Sequence, residues 1–309
     1  MYLRRIFLTV FLMCCVLAGG AVARGVDATW QPLVERLCGE GLPRQAVQAY
    51  FADPSIVFDP SIMASKVDRM VRKQFEPAPA PTKRTLQQSS YGYYLKPYVL
   101  SWAGDFSRAN QDILAKTEAA YGVPQDIIVA LLLVETKLGS YLGKDSAFQV
   151  LASMAASNSL ESIGPFLKSV GQHPERAAYA DTAAKDRAEW AYQELKALIR
   201  YAKDGGRDPL GIPGSIYGAI GMCQFMPSNA LRFGVAGSGS GPVDLFAARD
   251  AIPSIANYLV GNGWKPGLDY DQQRAVIYAY NHSDLYSLAV MTVAGKLREY
   301  RQAHSEERP

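Results

Sequence analysis

The chain has 309 residues, 49% hydrophobic, 20% charged and 11% aromatic, enough apolar material for one large core or two modest ones, so general disorder is excluded. Lys and Arg number 32 against 29 Asp and Glu, a net charge of +3 without long single-sign runs, too balanced for a protein that grips nucleic acid through its phosphates. His173, His282 and His304 lie far apart without ligand spacing, so no histidine-built metal site is expected.

The first segment, residues 1–23, reads as an export leader. Arg4 and Arg5 precede an apolar run from Ile6 to Leu17, and small residues lead to Ala21-Val22-Ala23. Cleavage after Ala23 removes both arginines, lowers the net charge to +1 and implies an oxidising compartment. The run is shorter than the roughly 20 residues of a membrane-spanning helix, and an uncleaved anchor is the alternative. Met13 stands before Cys14, and Cys14 before Cys15, where a lipidation site needs a small residue, so lipid anchoring is disfavoured. Past the leader only Cys38 and Cys223 remain, too few for a disulfide framework, and their spacing fits either a pair or two free thiols.

Residues 24–76 read as an N-terminal helical region. Trp30, Leu33, Val34, Leu37 and Cys38 recur at helical spacing and stop at Gly39, and Asp53-Pro54 and Asp59-Pro60 each look like a helix start. Pro77 to Thr82 is a stiff linker and the expected boundary. Residues 83–302 carry helical windows and no alternating β-branched run, which predicts an all-α domain, and 303–309 form a polar tail. Gly205-Gly206, Gly211 to Gly214 and Gly237 to Gly241 mark loops. Pro165, Pro174 and mixed charge between Asn158 and Glu189 predict a loop or helical excursion over a cleft.

Tyr121-Gly122-Val123-Pro124 opens a helix whose interior, Ile127 to Val134, has no polar side chain and is therefore expected to be buried all round. Glu135 ends it, on the face of Leu131 and Ile128. Desolvation there raises a carboxyl pKa, as a general acid near neutral pH requires; a core-edge Glu neutralised by Lys or Arg is the alternative. The stretch Gly214 to Ser228 mixes glycines with hydroxyl, amide and aromatic groups, a composition suited to sugar and equally to a Gly-rich turn before a helix at Pro227. Ala251 to Trp264 reads as a helix closing at Gly261, and Tyr278 to Ser283 as the end of a short one, where Tyr and Asn serve as core and cap residues or as site residues.

In this order, Tyr121-Gly122-Val123-Pro124, Val134-Glu135-Thr136 with Gly139, Gly218-Ala219-Ile220-Gly221 with Gln224-Phe225-Met226-Pro227-Ser228, Ile255 to Leu259 before Gly263-Trp264, and Tyr280-Asn281 resemble the membrane-bound lytic murein transglycosylase B family, well over about 109–300 and loosely over 28–108. The resemblance implies a goose-type lysozyme-like helical catalytic domain in the periplasm that cleaves the MurNAc-β-1,4-GlcNAc bond of peptidoglycan to a 1,6-anhydro end. It implies Glu135 as the single catalytic acid/base, and Ser215, Gln224, Ser228, Tyr258, Tyr280 and Asn281 along the sugar cleft. Asn229 departs from the family's usual Ser.

Many relatives carry an EF-hand-like calcium loop where this chain has Ala236 to Phe246, with Ala236, Ser238, Ser240 and then Ala247 at ligand places; no calcium and no other cofactor is expected. Expected partners are peptidoglycan glycan strands, with cell-wall synthesis or division proteins as candidates, and no nucleic acid. The rivals are a hydrolytic muramidase of the same fold, a catalytically silent peptidoglycan-binding envelope protein, and a helical binder of a small ligand.

Overall fold

The computed structural model describes residues 25–77 and 79–305; the expected leader, with Cys14 and Cys15, lies outside the described residues. Helices α1 (Gln31–Gly39), α2 (Arg44–Ala52) and α3 (Ser61–Phe75) precede the Pro-rich stretch. Next come α4 (Lys83–Gln88), α5 (Pro97–Ala109), α6 (Gln111–Tyr121), α7 (Gln125–Thr136), α8 (Ala147–Ala156) and α9 (Leu160–Ile163). The chain closes with α10 (Pro174–Asp204), α11 (Pro227–Phe233), α12 (Ala248–Gly261), α13 (Tyr270–Tyr280) and α14 (Asp284–Ser305). The only strands among the described residues are β1 (Asp145–Ser146) and β2 (Pro213–Gly214), antiparallel with Asp145 opposite Gly214. The fold class is all-α, as the periodicity predicts. No single described helix is both long and apolar enough to cross a membrane.

Local chemistry explains where the helices begin, and corrects three expectations. The Asp59 carboxylate accepts from the Ser61 N–H at 2.9 Å, and α3 follows. Asp53 makes the equivalent bond to Ser55 at 2.8 Å but opens only a turn. Pro60 biases Asp59 away from the helical region, and too few residues remain between the two prolines for a helix. The second correction concerns 174–189, which is the first half of the 31-residue α10 rather than an excursion. Pro174 fits its first turn, where no N–H partner is needed, and Ala180, Ala183, Ala184 and Ala188 form a buried stripe of small residues beneath the mixed charge. Third, residues 303–305 of the expected tail belong to α14.

α7 sits at the centre, packed against α5, α6, α12 and α14. Every residue from Ile127 to Val134 is buried, which is why its sequence shows no amphipathic stripe. Near its N-terminus the buried Asp126 receives Arg301 at 2.8 Å and Arg298 at 3.4 Å from α14, so the last helix is clamped onto the positive end of the α7 dipole. Burial pushes the Asp126 carboxyl up, and the two arginines oppose that rise.

The 77–82 stretch joins α3 to α4, and the buried core is continuous across it. Phe148 of α8 is fully buried, with ring centroids 5.2 Å from Phe51 and 5.6 Å from Tyr50 of α2; Phe51 meets Trp30 at 5.3 Å. Phe148→Ala opens a cavity at this junction and is expected to lower unfolding stability by about 3–5 kcal/mol, read from chemical denaturation. A loss below about 1 kcal/mol would mean that α1 and α2 contribute little to the core.

Candidate active site

The C-terminal end of α7 is held in an unusual backbone. Lys137 (φ 50°) and Leu138 (φ 58°) are left-handed, followed by Gly139 (φ 86°), and their N–H groups cap the Leu133 and Leu132 carbonyls at 3.0 Å each. Two consecutive left-handed residues with side chains cost of order 1–3 kcal/mol each, strain that collects at functional sites. The buried Thr136 hydroxyl bonds the Met222 carbonyl at 3.0 Å and accepts from Gly139 N–H at 3.0 Å, tying the helix end to the Gly214–Ser228 stretch. Glu135 projects from this fixed end.

No Lys or Arg pairs with Glu135 among the described residues, so the neutralised-Glu alternative is not what the structure shows. Its polar partner is the Tyr286 hydroxyl, which donates a short hydrogen bond to Oε1. Desolvation raises the Glu135 carboxyl to about 7, against the opposing pull of that hydrogen bond. Half-protonated near neutral pH, it can give up a proton and take one back.

Tyrosines enclose it. Tyr286 is buried on the first turn of α14, with its ring stacked near Tyr280 (6.4 Å, 16°) and edge-on to Tyr91 (6.3 Å, 77°). The Tyr94 hydroxyl donates to the Val134 carbonyl at 3.2 Å. Glu135 is the one carboxylate whose charge reaches Tyr91, Tyr94, Cys223, Tyr280 and Tyr286, all of which burial pushes upward in pKa. Tyr91, Tyr94 and Tyr286 are absent from the residues expected by sequence. The density of Tyr91-Gly92-Tyr93-Tyr94 was the available signal for the first two, whereas Tyr286 carried none beyond its nearness to Tyr280-Asn281.

The expected cleft residues divide into two groups. Tyr280 lies beside the acid and donates to the Cys223 carbonyl at 2.5 Å; Cys223, like Cys38, is a free thiol. Tyr258 is buried behind it, rings 4.9 Å apart, its hydroxyl on the Ala279 carbonyl at 3.1 Å, so it supports Tyr280 from the core. Gln224 adopts φ 48° and is half-buried, and its side-chain amide N–H donates to Gly221 O at 3.1 Å.

Ser215 and Ser228 are more committed. The Ser215 hydroxyl accepts from Ala219 N–H at 3.0 Å and Tyr217 N–H at 3.3 Å, closing a turn and leaving its own proton to donate. Gly218 (φ 83°) lies in that turn, where a Cβ would sit 2.6 Å from Leu151. The Ser228 hydroxyl and N–H both go to the buried Glu194, at 2.7 and 2.8 Å. Asn281 is exposed at the end of α13 in extended backbone.

The loop that in relatives resembles a calcium site does not fit a cation in this chain. Gly237 N–H (3.0 Å) and Asp244 N–H (2.8 Å) both point at the fully buried Asp250 carboxylate, presenting donors where a cation needs oxygens. Asp244 pairs with Arg207 at 2.7 Å, and the Ser238 hydroxyl donates to Ser240 O at 2.8 Å. Among the described residues there is no group of three or more His, Cys, Asp or Glu placed to hold a metal.

Residues 25–275 match the Transglycosylase SLT domain family. Membrane-bound lytic murein transglycosylase B of Escherichia coli K12 is 34% identical over 157 residues, 51% of this chain and 36% of that protein, so the match spans about a third of the relative's length. The E. coli lytic transglycosylase Slt35 in complex with calcium superposes with a TM-score of 0.65 at 22% identity, covering 89% of this chain and 94% of that one. Pseudomonas aeruginosa SltB3 in complex with NAG-NAM-pentapeptide gives a TM-score of 0.62 at 20% identity, covering 86% and 78%. The helical architecture is the lysozyme-like fold of those enzymes, and the chain belongs to the transglycosylase SLT domain family.

Proposed function

We propose that the protein is a lytic transglycosylase that cleaves the MurNAc-β-1,4-GlcNAc bond of peptidoglycan, with Glu135 as its one acid/base. The observation that carries this is a solitary carboxylate, raised to about 7 by desolvation and bonded by Tyr286, among aromatic rings. Protonated Glu135 gives its proton to the bridging oxygen as the C1–O bond breaks, leaving an oxocarbenium-like muramoyl ring and a GlcNAc hydroxyl. The carboxylate then removes the proton from the muramoyl C6 hydroxyl as that oxygen bonds C1, closing the 1,6-anhydro ring and restoring the acid. Ordinary glycosidases use a second carboxylate to activate water or attack C1. Among the described residues no second carboxylate acts on Glu135, which supports the intramolecular route over a hydrolytic muramidase. Gln224, Tyr280, Ser215 and Asn281 supply neutral dipoles to sugar hydroxyl and acetamido groups, a role suited to stabilising developing charge without neutralising the acid.

The substrate's stem peptides are acidic, and the chain offers them cations. Lys66 Nζ lies 4.5 Å and the Arg69 guanidinium 5.1 Å from the centre of the Tyr217 ring, and Arg187 lies 5.8 Å from that of Trp190. No carboxylate pairs with Lys66, Arg69 or Arg187 among the described residues, and the buried Arg187 Nε has no hydrogen-bond partner there. Burial and the neighbouring Arg187 and Arg69 lower the Lys66 pKa. Export to the periplasm belongs to the same reading. No cofactor enters it.

Digestion of purified sacculi tests the reading directly. Wild type is expected to release muropeptides with anhydro-muramoyl ends by mass spectrometry, and Glu135→Gln to lose roughly 10²–10⁴-fold in rate. Ordinary reducing ends would instead make it a hydrolase.

The pH profile follows from the same carboxyl. Glu135 acts first as an acid, so kcat/KM falls as pH rises through about 7. Tyr286 donates to the charged form and so lowers this pKa; Tyr286→Phe is expected to move the alkaline limb to higher pH. A limb that stays in place would assign the titration to another group.

Because Asp250 replaces a cation in closing its loop, chelation by EDTA is expected to leave activity unchanged. Asp250→Ala strands two backbone donors and lowers stability by about 1–3 kcal/mol in thermal unfolding. Calcium binding at micromolar concentration in a calorimetric titration would contradict this.

A further inference from the structure

The tyrosines around Glu135 do not end at the acid. From Tyr94, whose hydroxyl holds the Val134 carbonyl, contacts continue outward to Tyr93 (centroids 5.4 Å) and from Tyr93 to Tyr98 (6.2 Å) on the first turn of α5. Tyr98 is 60% exposed, among the largest exposures of any apolar or aromatic side chain in the described chain. Nothing in the reaction above uses it, and its helix gains no core contact from it.

Two cations border the same rings. Lys137 Nζ stands 5.4 Å from the Tyr93 centroid, and Lys96 Nζ 5.8 Å from Tyr93 and 6.0 Å from Tyr98. Neither lysine has a carboxylate partner among the described residues. Lys137 reaches this position from the left-handed backbone two residues past Glu135, so the strained turn that fixes the acid also sets a positive charge beside Tyr93. An exposed aromatic face suits the apolar face of a pyranose, and unpaired ammonium groups at its rim suit a carboxylate carried on a short arm of that sugar.

We propose that Tyr93 and Tyr98, flanked by Lys96 and Lys137, form an outlying subsite for an acid-bearing muramoyl unit of the same strand whose bond is cut at Glu135. The proposal rests on the glycan-cleaving reading and adds a place where the strand is gripped away from the reacting bond. It separates two contributions: stacking on Tyr98, indifferent to charge, and ion pairing at the lysines, which needs the carboxylates on muramoyl units and weakens with salt.

The test uses binding, in a full chain made unable to cut by Glu135→Gln. Soluble glycan strands stripped of their stem peptides, whose muramoyl lactyl carboxylates are free, and neutral chitooligosaccharides are titrated against this parent, against the parent with Tyr98→Ala, and against the parent with Lys96→Gln and Lys137→Gln. Tyr98→Ala is expected to weaken both ligands by roughly three- to tenfold, the scale of one aromatic contact. The lysine pair is expected to weaken the acidic strands alone and to lose its effect in high salt. All three positions are exposed, and matched thermal midpoints confirm that the fold is intact. Unchanged affinity on Tyr98→Ala, or a lysine effect equal for both ligands, overturns the subsite. A parent that binds neither ligand overturns the glycan reading itself, a different result from a parent that binds both regardless of the shelf.

Discussion

A carboxyl group taken out of water without being given a cation holds its proton up toward neutral pH, and the packing around the end of α7 is arranged about such a group. α7 supplies the apolar setting: eight consecutive residues, Ile127 to Val134, are buried before Glu135 emerges. A polar group this far inside costs free energy unless something bonds it, and Tyr286 does so with a neutral hydroxyl that moderates the pKa without collapsing it. Linkage fixes the sign of the cost. The folded state binds the Glu135 proton more tightly than the unfolded chain, so this group costs no stability at low pH and increasingly destabilises the fold as pH rises from 4.5 to about 7. The surrounding apolar packing supplies the compensation, while the pairing of Asp126 with Arg298 and Arg301 only limits the similar cost of burying that second acid.

The parts of this arrangement that were legible in sequence are those written in consecutive residues. An unbroken apolar run ending in one acid announces a buried helix with a desolvated terminus, and a mixture of Gly, Ser, Gln and Phe announces a close-packed loop. Tyr286 was illegible because its role depends on a helix 151 positions away in sequence returning to the end of α7. The full length of α10 was hidden because its buried face is built of alanines, too weakly apolar to outweigh two prolines and mixed charge. Asp53-Pro54 and Asp59-Pro60 look alike locally, and what separates their outcomes is the second proline, which shortens the first segment below helical length.

Ser228 shows a different limit. Its residue type is right for a sugar contact, yet both its hydroxyl and its N–H are taken by Glu194, which burial holds toward the neutral form while Ser228 opposes that shift. Its place in the motif is then explained by anchoring the N-terminus of α11, and through it the left-handed Gln224 four residues earlier. Motif membership and substrate contact are therefore separable, and in the first turn of α11 the structural role accounts for the residue without the other.

Glu194 belongs to a set that sharpens the case for Glu135. Asp68, Glu194 and Asp250 are all buried acids, and each accepts hydrogen bonds from backbone N–H groups of a loop or of a helix's first turn. Asp68 holds Lys168 and Ser169 (2.9–3.0 Å), Glu194 holds Ser228, and Asp250 holds Gly237 and Asp244. Donors fixed in the backbone suit an acid whose task is to pin a loop, because they stay in place whatever passes through the cleft. Among the described residues Glu135 accepts no backbone N–H; its one hydrogen bond there comes from a side-chain hydroxyl. Asp126, the fourth buried acid, is paired with two arginines, whereas the half-buried Glu135 has neither backbone donors nor a cation among the described residues. Lacking backbone donors, Glu135 keeps one carboxylate oxygen free of partners among the described residues, as the acid/base role proposed for it requires.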